Sequence, residues 1–124
     1  MNVYLDDMRG VPDENGIWRE NVRDFYGDVV ERIEWLVVRT VPKCIALLAE
    51  LGEEVKILSL DHDLGWADPT HIGYDVVTWI EERVFNDPTF YVPEIRVHSQ
   101  NFSEGGVKKM LAGIESIKRM KGAK

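Results

Sequence analysis

Four runs rich in β-branched and aromatic residues alternate along the chain with stretches of helical spacing, and this alternation narrows the possible folds more than any other feature. The runs are Asn2 to Leu5 ("NVYL"), Glu34 to Thr40 ("EWLVVRT"), Val55 to Leu60 ("VKILSL") and Glu94 to Ser99 ("EIRVHS"). The first and third are largely apolar, as expected of strands covered by helices on both faces. After the first strand, Val22, Phe25, Tyr26, Val29, Val30 and Ile33 recur at i, i+3, i+4, i+7, i+8 and i+11, which predicts a helical excursion over residues 17–33. A second helix is bracketed by Pro42 near its start and Gly52 near its stop, with Ile45, Leu48 and Leu51 available to face a sheet. Val76, Val77, Ile80 and Val84 mark a third, and Val107, Met110, Leu111, Ile114 and Ile117 a fourth. Strand followed by helix, four times over, implies right-handed crossovers and an α/β fold with a mostly parallel sheet of about four strands. The 124 residues are expected to form a single domain, 1–124, with residues 119–124 a frayed tail.

The first strand ends in "LDDMR", the third in "LDHDLG" and the fourth in "VHSQN". Open parallel sheets bind ligands beyond the carboxyl ends of their strands, where the strand order reverses, and in the order 2-1-3-4 the first and third strands flank that point. Asp6 and Asp7 would then face Asp61 and Asp63, a concentration of negative charge that calls for a cation or a shared proton. A hard divalent ion, Mg²⁺ or Mn²⁺, answers it with oxygen ligands. Extended backbone alternates sides, so Asp61 and Asp63 can point one way, about 7 Å apart, while His62 points the other. A chain that turns before residue 63 would lose that relation. Each element also has a bland reading, as a turn, a helix cap or a structural histidine, but three such accidents at one sheet edge are less expected than one site.

Taken in order, "VYLDDMR", "VVRTVPKCIALL", "ILSLDHDLG", "GYDVVTWI" and "IRVHSQN" resemble the cyclic-phosphate processing receiver-like family, a branch of the receiver domains of response regulators. The resemblance spans nearly the whole chain. It implies a receiver-like (flavodoxin-like) three-layer sandwich and a role in processing cyclic phosphates, among them the 2′,3′-cyclic phosphate ends of RNA. By the same resemblance, Asp6 and Asp7 match the acidic pair that holds the divalent ion, Asp61 the acidic position that receivers phosphorylate, and Ser99 the hydroxyl that contacts the phosphoryl group. His62, Asp63, His98 and Asn101 match motifs of this branch alone. Two departures stand out: no strand ends in the lysine that ordinary receivers use, and the excursion after Gly10 is long.

These residues lead to an expectation of metal-assisted phosphoesterase chemistry. Asp6, Asp7, Asp61 and Asp63 supply metal ligands, Asp61 acting in catalysis as well, while Ser99 and Asn101 hold the phosphate. His98 and His62 manage protons, because imidazole titrates near neutrality. Arg9 offers a positive group to the substrate, or is simply a solvated arginine. A receiver-like signalling module phosphorylated on Asp61, or a non-catalytic module that binds phosphate or a partner, are the alternatives.

Composition bounds these readings. A formal charge of −7 disfavours a long nucleic-acid duplex and is compatible with a nucleotide or an RNA-end phosphate reached through one ion. No apolar run approaches a membrane span, and "MNVYLDDMRG" turns acidic too early for a secretory signal, so no membrane partner and a cytoplasmic location are expected. The single cysteine, Cys44, excludes an internal disulfide and reads as a small buried hydrophobe. His71 reads as a loop surface residue. Trp66, beside "DLG", is the one tryptophan placed to stack on a ligand; Trp18, Trp35 and Trp79 read as packing anchors.

Overall fold

A computed structural model describes residues 1–98 and 105–122. Its strands are β1 (Asn2–Leu5), β2 (Ile17–Arg23), β3 (Val29–Val38), β4 (Ile57–Leu60) and β5 (Glu94–Val97), and its helices are α1 (Val41–Leu51), α2 (Tyr74–Asn86) and α3 (Gly105–Gly122). They build one α/β sheet of five strands, in the order β2-β3-β1-β4-β5. Four strands in the order 2-1-3-4 were expected, and the difference is the added edge strand β2, antiparallel to β3. β1, β3, β4 and β5 run parallel.

The expected helix over residues 17–33 is therefore corrected to a β-hairpin. The turn decides it. Asp24 accepts hydrogen bonds on its carboxylate from the backbone N–H groups of Tyr26 and Asp28, both at 2.9 Å, and Gly27 takes a left-handed φ of +85°. Phe25, placed on the apolar stripe of the predicted helix, lies at the hairpin tip and is 96% exposed. Along the flanking strands the face is set by period two: Trp18 pairs with Trp35 and Glu20 with Ile33.

This exchange of helix for strand changes the layers. The connections β3–α1–β4 and β4–α2–β5 cross the sheet in one direction, and right-handed crossovers in a constant direction place both helices on the same face. Val3, Leu5, Leu58 and Leu60 meet α1, α2 and α3 there in one core, which includes Cys44, Leu48, Val77, Ile80, Met110 and Ile114. The connection from β1 to β3 runs the other way, so a helix in it would have covered the opposite face. A hairpin occupies it instead. Among the described residues no helix covers that face, so the expected three-layer sandwich is a two-layer one. Tyr4, Ile33 and Trp35 form a second core there, packed with Trp18, Val22 and Val37.

Thr40 caps α1 by accepting from the Lys43 N–H at 3.4 Å, and Gly52, at φ +52°, ends the helix. Burial pushes the Cys44 thiol up to about 12, which keeps it a protonated packing group. Of the expected tail, residues 119–122 continue α3, with Lys121 Nζ donating to the Pro88 and Phe90 carbonyls at 2.9 and 2.7 Å, and residues 123–124 lie outside the described residues. Among the described residues no helix is long and apolar enough to cross a membrane.

Candidate functional site

Three backbone hydrogen bonds extend the parallel ladder one residue past the strand ends. Asp6 N donates to Val38 O, Asp61 N to Leu5 O and His98 N to Leu60 O, at 3.2, 3.0 and 2.9 Å. The directions of these three side chains are fixed by the sheet, not by loops. Asp6, Asp61 and His98 converge where the strand order reverses between β1 and β4, and each offers a ligand atom within 4.8 Å of the others.

Asp6 is buried and fully engaged. One carboxylate oxygen accepts from the Met8 and Arg9 N–H groups, at 2.8 and 2.7 Å, and the other meets His98 Nε2 at 3.0 Å, with Arg9 Nε at 3.8 Å. Burial works to raise its pKa, but the His98 hydrogen bond and the Arg9 and Met8 N–H groups outweigh it and hold the carboxyl well below the usual range. Since Asp6 is ionised and can only accept, His98 carries a proton on Nε2. Its Nδ1 lies 2.6 Å from Ser59 Oγ, and the ring stacks on Tyr4 at 4.1 Å with an interplanar angle of 6°.

Asp61 is the opposite case. It is 9% exposed, and its carboxyl is pushed up to about 6, first by burial and then by the charge on Asp6, with His98 offsetting part and Asp7 adding to it. The pocket therefore holds more negative charge than its own groups neutralise. Two carboxylates this close together are oxygen donors of the kind a hard divalent ion such as Mg²⁺ or Mn²⁺ takes, so Asp6 and Asp61 could hold one.

A model of the cyclic-phosphate processing receiver domain matches residues 1–116 of the chain. The chain belongs to this family. No curated protein and no solved structure matches it.

In this cyclic-phosphate processing receiver domain the remaining expected site residues fall into three groups. Asp7 and Arg9 border the cluster: Asp7 is half-buried and its charge reaches Asp61, and the Arg9 guanidinium stands beside Asp6. His62 and Asp63 are not part of it. Asp63 is 61% exposed and faces His62 Nδ1 at 3.2 Å, while the His62 ring fills the space that Gly106 leaves at the start of α3, where any Cβ would overlap it. Ser99 and Asn101 lie outside the described residues.

Several groups that shape the site carry no motif in the sequence. Ser59 and Tyr4 orient His98. Arg39, at the end of β3, donates to the carbonyls of Asp6, Arg9 and Gly10 at 3.0, 2.7 and 2.9 Å and so holds the acidic loop in place. Asp68 accepts from the Val41 N–H at the start of α1, at 2.8 Å, and pairs with His71 Nδ1 at 2.9 Å, so His71 ties down its own loop. Gly73 donates to the His62 carbonyl at 2.8 Å and packs so closely that a Cβ there would overlap the Asp61 carbonyl oxygen. Ser59 is a polar residue in an apolar strand, two positions before Asp61 and hence on the same face, which flags its side chain but not its partner.

Proposed function

We propose that the acidic end of the sheet is the active site of a metal-assisted phosphoesterase that opens cyclic phosphates, with 2′,3′-cyclic phosphate ends of RNA or nucleotides as its substrates. The crowding of Asp6, Asp61 and His98, in which Asp61 is driven to about 6, carries this reading. Asp6 and Asp61, with Asp7 at the border, are the residues assigned to hold Mg²⁺ or Mn²⁺. Bound there, such an ion would neutralise negative charge on the phosphate.

The remaining work belongs to the chain's own groups. Opening the ring forms a bond from a water oxygen to phosphorus, breaks one ring P–O bond, and delivers a proton to the ribose oxygen that leaves; it needs a base and an acid. His98 is assigned the proton transfer. It holds a proton on Nε2 against Asp6, and the Ser59 hydroxyl donates to Nδ1 when that nitrogen is bare or accepts when it is protonated, so the ring changes charge without losing a partner. Arg9 is assigned to the phosphate as a cationic group beside Asp6. Ser99 and Asn101 remain proposed phosphate donors from the motif. His62, packed at the start of α3, and Asp63, facing solvent, have supporting roles in this assignment. A net charge of −7 favours a terminal phosphate or a nucleotide over a long duplex.

The test is to incubate the protein with nucleoside 2′,3′-cyclic phosphates, with and without Mg²⁺ or Mn²⁺, beside His98→Ala and Asp61→Asn. The expected result is metal-dependent release of a phosphomonoester, reduced by about 10²-fold or more in His98→Ala. No metal-dependent turnover, or full activity in both variants, overturns the reading. A stable acyl phosphate formed from a small phosphodonor and lost in Asp61→Asn replaces it with the signalling one.

A further inference from the structure

We propose that Trp66 is a stacking platform for the nucleobase of the ligand whose phosphate enters the acidic site. The inference rests on the phosphoesterase reading and extends it to the part of the ligand beyond the phosphate. Trp66 is 99% exposed, whereas Trp35 is buried and Trp18 and Trp79 pack against the two cores. An indole left in water forgoes the burial that the other three obtain, and an exposed indole on a fixed frame is what a planar ligand ring requires.

The frame is fixed at both sides. Trp66 occupies the centre of a 3-10 turn, Gly65–Ala67. Before it, Leu64 is buried in the main core and its carbonyl accepts from the Ala67 N–H at 3.1 Å. After it, buried Asp68 is held by the Val41 N–H and by His71. The turn also abuts the site, because a Cβ at Gly65 would stand 2.8 Å from a carboxylate oxygen of Asp7. Trp66 and Met8, which is 80% exposed, are thus the immediate chain neighbours of Gly65 and Asp7 at the border of the acidic cluster.

A large apolar surface beside a phosphate site suits a ligand that joins a phosphate to a flat aromatic ring. Every base has such a ring, and stacking selects for its presence without reading sequence. The ligand class that follows is nucleoside cyclic phosphates in place of base-free cyclic phosphates.

The experiment compares adenosine 2′,3′-cyclic phosphate with base-free glycerol 1,2-cyclic phosphate on the full chain with Mg²⁺, in wild type, Trp66→Ala and Trp66→Phe. KM is read where there is turnover, and Kd by calorimetry where there is none. Trp66→Ala should weaken the adenosine ligand by about tenfold or more and change the glycerol ligand by less than about twofold, and Trp66→Phe should restore most of the loss. Equal weakening of both ligands overturns the proposal. So does tight binding of both with no effect of Trp66→Ala, a result that leaves the phosphoesterase reading standing. Failure of wild type to bind or turn over either ligand overturns both.

Discussion

Replacing Asp61 with asparagine should stabilise the metal-free protein, although it removes a residue assigned to the active site. The carboxyl moves from 3.8 to about 6 on folding because burial and the nearby Asp6 charge disfavour its ionised form. At about 1.4 kcal/mol per pH unit, ionising Asp61 at pH 7.5 costs the folded state about 3 kcal/mol. The sign follows from proton counting. Between the two pKa values the folded chain binds more protons than the unfolded one, so the Asp61 contribution falls as pH rises from about 4 and levels off above about 7. Asparagine keeps the shape and removes the charge. In EDTA at pH 7.5 its melting temperature should exceed that of wild type by about 10 °C, taking about 3–5 °C per kcal/mol for a domain of this size. At pH 4.5 the same linkage leaves a difference of about 1 kcal/mol. Thermal unfolding followed by circular dichroism across this pH range is the assay. Added Mg²⁺ or Mn²⁺ should raise the wild-type melting temperature and leave Asp61→Asn nearly unmoved, since an ion that binds only the folded state at a hundredfold excess over its Kd contributes about 2.7 kcal/mol. An asparagine variant less stable than wild type at pH 7.5, or a difference that does not change with pH, would refute the charge-crowding argument.

Two further substitutions test the framework around this charge. Gly73 has an ordinary right-handed helical backbone, φ −57° and ψ −29°, so Gly73→Ala is informative about packing alone: its Cβ meets the Asp61 carbonyl, and urea unfolding should show a loss of about 3 kcal/mol. Ser59→Ala removes the partner of His98 Nδ1 and should cost about 1–2 kcal/mol in stability, read by the same urea unfolding.

The sequence exposes the acidic cluster and hides its support for a single physical reason. A residue just past a strand is placed by its own strand, so "LDD", "LDHD" and "VHS" reveal Asp6, Asp61 and His98 at one sheet edge before any packing is known. Ser59 and His98 are separated by 39 positions and meet only because β4 and β5 pair in one register, Ser59 opposite Arg96, which no local pattern encodes. Arg39 is hidden in the same way, since its partners are carbonyls.

The misread hairpin has a consequence for the chemistry. Val22 and Ile33 satisfy a helical period and a strand pairing equally well, and Asp24 with Gly27 settles the matter through a turn that hydrophobic periodicity does not register. With a helix at residues 17–33, the face bearing Tyr4 and Ser59 would have been covered by that helix's stripe from Val22 to Ile33, which does not include Trp18. With a hairpin, Tyr4 meets the rings of Trp18 and Trp35 as well as the imidazole of His98. An imidazole stacked at 4.1 Å on an aromatic ring and tied at both nitrogens has one orientation available to it. The edge hairpin, through Trp18 and Trp35 against Tyr4, is thus part of what aims His98 at Asp6.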